Sequence, residues 1–483
     1  MALKDLLSEI RRAEKGVLVV GLGSSGLDSA RVLSQGGYSV VVAERQSEAD
    51  FRRNSPVVEE VDKLRAAGVS INFGVDGERV SPMLDQVGLA VLSPGVPLES
   101  SVIGTIARFE IPCVSELELG VELQGGRAIV ITGSNGKSTT AALLNFILQR
   151  GGIPARLYGN RGVSSISGAE TQAVTVVEAS SYQLEACTVL KPTIGILLNI
   201  SDNHLERHGT IERYATAKSR VFAQQARDDY MIGNCDDPIV MSLTRAGRGE
   251  LAVFGERSEG ELAALANDWA RLGSGDTISV SLHGMREEYS MCDALMLGRH
   301  NRYNAAAVVL AARRMGVDSD SVQRGLLAFS PLEHRLEAIP NNAGFLVFND
   351  SKSTTVAASV AGVQTMLSRY PERPLVLMIG GLSKAGSWKP LLLHLQAHPS
   401  RIRPVVCFGK DGPLLSSHCK AAGVPTHTVK NLLAATQYGI DQLRHDPSAI
   451  LLLTPGCASF DEFSDFEHRG HEFKSYVTAL TAQ

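Results

Sequence analysis

The sequence predicts an α/β protein of three domains, and three observations carry this prediction. Two apolar strands, Gly16–Gly21 and Ala128–Thr132, each run through a glycine-rich turn into a helix, as expected for doubly wound sheets. Short apolar runs alternate with helical segments again after residue 332, which predicts a further sheet of this kind. At 483 residues the chain is too long for one ordinary core. We expect a Rossmann-like N-terminal domain (1–114), a central P-loop ATPase-type α/β domain (115–331) and a Rossmann-like C-terminal domain (332–483).

Composition narrows the class of protein. A net charge of −4 gives no basic surface, which argues against nucleic acid as the main partner. The apolar runs are far shorter than a bilayer span, and the N-terminus lacks a secretory apolar core. The seven cysteines are scattered without a C-x-x-C pair, which is typical of reduced thiols. We therefore expect a cytoplasmic protein, and a monomer.

The first glycine-rich turn is G-L-G-S-S-G at Gly21–Gly26. The next strand, Tyr38–Ala43, ends at Glu44, about twenty residues on. This is the G-x-G-x-x-G fingerprint with an acidic residue in the position that usually binds a ribose hydroxyl. Taken alone, the pattern indicates that this domain binds NAD. Glycines that serve only the packing of strand and helix remain an alternative.

The second glycine-rich turn is G-S-N-G-K-S-T at Gly133–Thr139. A strand that turns through glycines into a helix directs backbone N–H groups at one point, where the helix dipole also favours an anion. Lys137 adds a mobile positive charge, and the hydroxyl of Ser138 or Thr139 is suited to a phosphate-bound Mg²⁺. Only two residues separate Gly133 from Gly136, so the loop is shorter than G-x-x-x-x-G-K-[ST]. The alternative is a tight turn with a solvated lysine; we favour a nucleoside triphosphate site.

Polar residues follow the next strands of the central domain. Glu178 ends the strand Ala173–Glu178, where it could hold Mg²⁺ opposite Ser138, although an acidic neighbour of a helix N-cap is as consistent with the spacing. The strand Ile194–Ile200 opens into the polar segment S-D-N-H-L-E-R-H-G. Lys218 lies on a predicted helix, where a lysine is usually solvated.

In the C-terminal domain, predicted strands end in polar turns at Asp350–Thr354, Gly380–Lys384 and Thr454–Ser459. Such turns share the carboxyl edge of a parallel sheet, where ligands bind. We expect Thr354, Lys384 and Ser459 to lie together there. A solvated loop lysine is the alternative for Lys384.

Taken together, these motifs resemble the Mur ligases, ATP-dependent amide-forming enzymes of bacterial cell-wall synthesis. The short phosphate loop, the histidine of N-I-S-D-N-H-L-E-R-H, and the segments H-N-R-Y-N, H-R and D-S-K-S-T match the family set in order. The run E-A-S-S-Y-Q-L-E at Glu178–Glu185, the Rossmann-like first domain and the tail at Cys457–Gly470 are most similar to the D-glutamate-adding branch. The D-N-P-R segment of diaminopimelate- and lysine-adding members is absent.

The resemblance implies that the protein uses ATP and Mg²⁺ to join UDP-N-acetylmuramoyl-L-alanine and D-glutamate. It implies catalytic roles for Lys137, Glu178, His204, Lys218, Asp350 and Lys352. It assigns ATP binding to Gly133, Ser134, Asn135, Gly136, Lys137, Ser138, Thr139, Asn301, Asn304, Arg335 and Asp350. The metal ligands would be Ser138, Glu178, His204 and Lys218, the last as a carbamate.

The resemblance also assigns the two other substrates. UDP-substrate binding falls to Gly23, Ser24, Ser25, Glu44, Arg45, Ser93, Gly95 and Asn160. Amino-acid binding falls to Thr354, Lys384, Ser459 and Phe466. Glu44 stands where an aspartate is common in the family. An NAD-dependent oxidoreductase would leave the second glycine loop unexplained, and a nucleotide-binding regulator would not need Glu178, His204 and Lys218 in one chain.

Overall fold

The computed structural model describes residues 3–158, 173–201, 205–273, 275–292, 294–296, 298–330, 332–383 and 386–482. Within these ranges the strands form three separate sheets, of five, nine and six strands. Most neighbouring strands pair in parallel, and helices connect them. The predicted α/β class is therefore confirmed.

The first sheet is entirely parallel and has the strand order β3-β2-β1-β4-β5. Its strands are β1 (Gly16–Val20), β2 (Val40–Glu44), β3 (Ser70–Phe73), β4 (Val87–Leu92) and β5 (Cys113–Ser115). The α-helices around it are α1 (Leu3–Arg12), α2 (Ser24–Gln35), α3 (Glu48–Asn54), α4 (Val58–Ala66), α5 (Gly77–Val80), α6 (Ser101–Arg108) and α7 (Glu116–Gln124), with a 3₁₀ helix at Ser81–Gln86. Strand β1 is buried along its whole length, which explains its continuous apolar sequence.

The second sheet contains the strand that precedes the phosphate loop. Its strands are β6 (Ala128–Thr132), β7 (Ala155–Tyr158), β8 (Val174–Glu178), β9 (Ile194–Leu197), β10 (Tyr230–Asn234), β11 (Glu250–Gly255), β12 (Asp268–Leu272), β13 (Thr277–Leu282) and β14 (Met285–Ser290). Strand β6 lies between β8 and β9 and is parallel to both, so the loops that follow these three strands meet at one edge. The last two pairings, β12 with β13 and β13 with β14, are antiparallel.

The α-helices of this part of the chain lie between and after these strands. They are α8 (Lys137–Arg150), α9 (Ser181–Glu185), α10 (Leu205–His208), α11 (Ile211–Ala223), α12 (Pro238–Arg245), α13 (Glu259–Leu265), α14 (Arg299–Arg314) and α15 (Ser319–Ala328). The apolar side of α11 packs into a core with strands β6, β8 and β9, through Val221 and Phe222 among others.

The third sheet has the order β15-β16-β20-β17-β18-β19 and is parallel except for β15. Its strands are β15 (Glu337–Ala338), β16 (Leu346–Asn349), β17 (Leu375–Gly380), β18 (Val405–Phe408), β19 (Thr426–Thr428) and β20 (Ile450–Gly456). Its helices are α16 (Val356–Arg369), α17 (Lys389–Gln396), α18 (Gly412–Ala421), α19 (Leu432–His445) and α20 (Phe466–Thr481). The central strand β20 is buried throughout.

The chain forms two compact units. The first comprises Met1–Cys292 and Tyr303–Leu327, and it contains the first two sheets; the second comprises Asp293–Arg302 and Ala328–Gln483. The predicted division of the first unit at residue 114 stays a prediction. Among the described residues, none of the helices combines the length and the apolar composition needed to cross a membrane.

Candidate active site

The phosphate loop, Gly133–Thr139, runs from the end of β6 into the first turn of α8 in the first unit. Gly136 lies in the left-handed region with φ +86°, and a Cβ there would lie 2.4 Å from Asn304 Oδ1. Glycine is therefore required both by the backbone angle and by the close approach of this amide. The first N–H groups of a helix have no intrahelical partner, so the start of α8 offers donors to an anion. Asn304, predicted from the sequence to bind ATP, packs directly against this loop.

Lys137 is the first residue of α8, and its side chain turns back over the loop. Its ammonium donates hydrogen bonds to the carbonyl oxygens of Gly133 (3.0 Å) and Ser134 (3.2 Å). The lysine is partly exposed. A cation held this way can exchange carbonyl partners for phosphate oxygens with little movement.

Ser138 and Glu178, predicted as metal ligands, are in direct contact. The Ser138 hydroxyl donates to Glu178 Oε1 at 3.0 Å. Glu178 is the last residue of β8, which is adjacent to β6 in the sheet. The pairing of strands therefore brings together two oxygen groups of the type that Mg²⁺ prefers.

Lys218 lies on α11 and is 1% exposed. Its Nζ donates to Gly133 O (2.9 Å) and Thr132 Oγ1 (3.2 Å), and lies 4.8 Å from the centre of the Tyr214 ring. Burial and the positive charge of Lys137 lower the Lys218 pKa to about 6, although the charge of Glu178 opposes this shift. The lysine is thus a buried part of the site and not a solvated surface residue.

Two further contacts hold the loop, and the sequence analysis did not predict them. Tyr214 donates its hydroxyl to Ser134 Oγ at 3.2 Å. Asn199, just after β9, accepts from the Asn135 N–H at 2.8 Å and donates to Asn135 O at 3.1 Å. A tyrosine four residues before a functional lysine on a helix lies on the same face, which was the available signal.

The glycine turn of the first sheet is tightly built. Gly21 has φ +90°, and a Cβ at Gly26 would lie 1.9 Å from Gly21 O. Gly23 and Ser24 are exposed, and Ser25 is partly exposed, at the start of α2. This arrangement leaves a helix N-terminus accessible to an anionic ligand.

Glu44 has a different environment from the one its sequence position suggests. It is 8% exposed, and its carboxylate accepts from the N–H groups of Leu22 (2.8 Å) and Gln46 (2.9 Å). The carboxylate therefore holds the glycine turn, whereas the neighbouring Arg45 is exposed. Ser93 is buried and donates to Gly21 O at 3.0 Å, and Gly95 is exposed.

In the second unit, Asp350 is buried among hydrogen-bond donors. Its carboxylate accepts from Ser353 Oγ, Thr454 Oγ1 (3.1 Å) and the N–H of Leu336 (3.2 Å). Burial raises the Asp350 pKa to about 6, although the hydrogen bonds from Ser353 and Thr454 oppose this shift. The carboxylate thus joins the segment beside Arg335 to the ends of two strands, and Arg335 itself is partly exposed.

The predicted turns meet at the carboxyl edge of the third sheet. Gly456 N–H donates to Ser353 O at 2.8 Å, and Leu382 and Ala458 exchange two backbone hydrogen bonds of 2.9 Å. Thr354 is partly exposed, and Ser459, next to Ala458, is 2% exposed.

Lys352, Phe466 and Arg469 form a second group at this edge. The Lys352 ammonium lies 3.5 Å from the centre of the Phe466 ring. Arg469 is 1% exposed and donates to Ser351 Oγ (2.9 Å), Ser351 O (2.8 Å) and Cys457 O (3.1 Å). This arginine lies within the matched tail, but the sequence analysis assigns it no separate role. In the structure it connects the turn after β16 to the turn after β20.

For several predicted site residues, the assignment to a ligand rests on the sequence alone. Asn160, His204 and Lys384 lie outside the described residues. Asn301 is partly exposed in the first turn of α14 and belongs to the second unit. Thr139 is 5% exposed in the first turn of α8. The assignment of all these residues to ligands stays a prediction.

Known proteins match the sequence of this protein along nearly its whole length. The profile described as "Mur ligase middle domain" matches residues 131–312. A protein of Pelotomaculum thermopropionicum named UDP-N-acetylmuramoylalanine–D-glutamate ligase is 35% identical over 96% of this chain and 98% of its own length. A protein of Koribacter versatilis with the same name is 33% identical over 97% of this chain and 98% of its own length.

A solved structure shares the fold. The crystal structure of MurF from Acinetobacter baumannii covers 99% of this chain and 98% of its own, with a TM-score of 0.61 and 16% identity. At that identity the likeness concerns the fold alone. The two full-length relatives, in contrast, share a third of their residues with this protein. The chain belongs to the Mur ligase family.

Proposed function

We propose that this protein is an ATP-dependent ligase that joins D-glutamate to UDP-N-acetylmuramoyl-L-alanine in the synthesis of peptidoglycan precursors. The observation that carries the proposal is the full-length similarity to relatives bearing that name. The contact of Ser138 with Glu178 beside Lys137 and Lys218 supports it, because phosphoryl transfer requires cations and oxygen ligands at one place.

The residues of the first unit fit a Mg²⁺ ion. A serine hydroxyl and a carboxylate 3.0 Å apart offer the oxygen ligands that Mg²⁺ takes together with substrate phosphates. We assign Ser138 and Glu178 to one ion, and His204 with a carbamylated Lys218 to a second. When bound, Mg²⁺ would neutralise phosphate oxygens and polarise the carboxylate that is to be activated.

The first chemical step moves the γ-phosphoryl group of ATP onto the substrate carboxylate, because a free carboxylate is a poor electrophile. A carboxylate oxygen attacks phosphorus, the bond to the bridging oxygen breaks, and ADP leaves. Positioning and charge neutralisation are the main requirements of such a transfer. Lys137 supplies a positive charge to the transferring oxygens, and the start of α8 supplies N–H donors.

The second step forms the amide. The neutral amine of D-glutamate attacks the acyl phosphate, and the tetrahedral intermediate collapses with loss of phosphate and a proton. The negative charge of this intermediate requires the same cationic groups. We assign recognition of D-glutamate to Thr354, Ser459 and Phe466, which belong to turns and a helix at the carboxyl edge of the third sheet, and to Lys384 from its place in the sequence.

The first sheet is the proposed site of the UDP moiety. The exposed Gly23 and Ser24 at the start of α2 provide N–H donors for a diphosphate. Gly95 and Arg45 are exposed after β4 and β2, the two strands that flank β1, so they are available to the rest of the nucleotide. We place the reaction in the cytoplasm, because all seven cysteines are free thiols and such thiols persist in a reducing compartment.

Release of ADP by the purified protein tests the proposal. With ATP, Mg²⁺, UDP-N-acetylmuramoyl-L-alanine and D-glutamate, we expect ADP, phosphate and a product heavier than the UDP substrate by one glutamyl residue. Omission of D-glutamate should abolish amide formation, and NADH should not bind. Amide formation with L-alanine or diaminopimelate in place of D-glutamate would contradict the substrate assignment but not the ligase reaction.

A further inference from the structure

Arg207 connects the first sheet to the second within the first unit. Its guanidinium donates to Val96 O at 3.0 Å, in the loop after β4. The same group donates to Glu185 Oε2 through Nε (3.3 Å) and Nη2 (3.1 Å). The two side chains are only 18% and 20% exposed, so the pair is shielded from solvent more than ordinary surface ion pairs are.

Val96 is in turn packed on the glycine turn of the first sheet. A Cβ at Gly21 would lie 2.9 Å from Val96 Cγ2. The Val96 N–H donates to Ser93 O at 3.0 Å, and Ser93 Oγ donates to Gly21 O at 3.0 Å. Displacement of Val96 would therefore disturb the turn at the start of α2.

Further contacts connect Glu185 to the phosphate loop. Its Oε1 lies 3.8 Å from His208 Nδ1, and His208 Nε2 is 3.0 Å from Ser181 Oγ. The buried His208 ring packs on Tyr214 with a centroid distance of 5.3 Å. Tyr214 then donates to Ser134 of the phosphate loop. These contacts form a continuous path from the first glycine turn to the second.

We propose that Arg207 is a positioning residue, which acts through Val96 and Glu185 to hold the two glycine turns in one fixed arrangement. The inference rests on the proposed function, in which one substrate extends from the first turn to the phosphate loop. Loss of Arg207 would loosen the loop that carries Val96 and, through Val96, the first glycine turn, whereas the phosphate loop would keep its contacts with Tyr214 and Asn199. A substrate that needs both turns would then bind more weakly, whereas ATP would not.

The chain offers a matched control for this test. Arg213 pairs with Glu99 at 3.5 Å and also joins the second sheet region to the loop after β4. These two side chains are 68% and 70% exposed, and such exposed pairs contribute little. Arg207→Met and Arg213→Met therefore remove the same group from two successive helices, α10 and α11, that contact the loop after β4, once in a shielded and once in an exposed environment.

The first experiment measures amide hydrogen exchange without any ligand. In Arg207→Met we expect exchange of the segment 93–98 to be faster by about tenfold or more, as for loss of a shielded charge-assisted hydrogen bond. Arg213→Met should exchange like the parent protein. If Arg207→Met does not fold, Arg207→Lys, which keeps the charge but not the fork of donors, takes its place. Unchanged exchange in a folded Arg207 variant would overturn the proposal.

The second experiment measures kinetics. We expect the KM for UDP-N-acetylmuramoyl-L-alanine to rise by about tenfold or more in Arg207→Met, with the KM for ATP within about twofold of the parent. Arg207→Lys should be intermediate. A lower melting temperature with both KM values unchanged would mean a purely structural residue and would refute the inference. If the parent protein itself makes no amide, the proposed function fails, while the exchange experiment still decides whether Arg207 holds the loop.

Discussion

Carbamylation of Lys218 is the prediction that the structure makes most specific. The Lys218 side chain is 1% exposed, and its hydrogen bonds run to a carbonyl and a hydroxyl, Gly133 O and Thr132 Oγ1. Burial and the charge of Lys137 lower its pKa to about 6. A lysine reacts with CO₂ only as the neutral amine, since the nitrogen lone pair attacks carbon and one proton is released.

The lowered pKa of Lys218 determines what fraction of this side chain is the neutral amine that can react with CO₂. At pH 7.5 a pKa of about 6 gives a ratio of neutral to charged amine of about thirty to one, whereas an ordinary lysine has a ratio of about one to a thousand. The reactive form is therefore the dominant state of Lys218 and a trace state of exposed lysines. Below pH 6 the amine becomes charged, so carbamylation should decline there.

Nuclear magnetic resonance with ¹³C-labelled bicarbonate tests this at pH 7.5. We expect one carbamate signal that is absent in Lys218→Met and that weakens as the pH falls towards 6. Lys218→Ala should be nearly inactive in ADP release, and formate or acetate should restore part of the activity by supplying the missing carboxylate. An unlabelled lysine together with an active Lys218→Ala variant would refute the reasoning.

Three other predictions follow from single residues. Lys137→Ala should abolish ADP formation without lowering the melting temperature, because the partly exposed lysine contributes charge to the transferring phosphoryl group and little to packing; an active variant would exclude Lys137 from the transfer. Glu116 is 2% exposed, and its Oε2 has no hydrogen-bond partner among the described residues; burial raises its pKa to about 7. Because the unfolded chain loses this proton near its ordinary value of 4.5, stability should fall as the pH rises from there to 7. Glu116→Gln should therefore stabilise the protein at pH 8, by on the order of 3 kcal/mol, and not at pH 4.5, as thermal unfolding at the two pH values would show. Lys384→Ala should raise the KM for D-glutamate far more than that for ATP, since a lysine facing a carboxylate contributes a charge-assisted hydrogen bond; equal changes in the two constants would remove Lys384 from the amino-acid site.

The sequence predicts much of the fold because its strongest signals are local. Both glycine turns lie between a strand and a helix as expected, and the strands that end at Glu178 and Asn349 have the predicted carboxyl ends. Strand β9 ends at Leu197, whereas the sequence predicts strand to residue 200. Beyond Leu197, Asn199 instead holds the phosphate loop, because its side chain accepts from the Asn135 N–H and its carbonyl oxygen accepts from the Ser134 N–H. Strands β10–β14 were not predicted. The edge strand β14 is mostly exposed and lacks the apolar run of a buried strand, whereas β10 is buried throughout but has only a short apolar run, Y-M-I-G-N.

The contacts of the site are harder to predict, because a polar residue at a strand end can bind a ligand or the protein itself. Glu44 and Asp350 both follow or end a strand, and both were predicted to bind substrates. In the structure the carboxylate of Glu44 accepts from two backbone N–H groups, and that of Asp350 accepts from two hydroxyls and one N–H. The position of such a residue in the sequence shows that it lies at the edge of the sheet, but it does not show which way the side chain points. Most buried polar groups find partners within the protein, and Glu44 and Asp350 do so by holding the turns beside them. We therefore expect a neighbouring exposed residue such as Arg45 to contact the ligand instead.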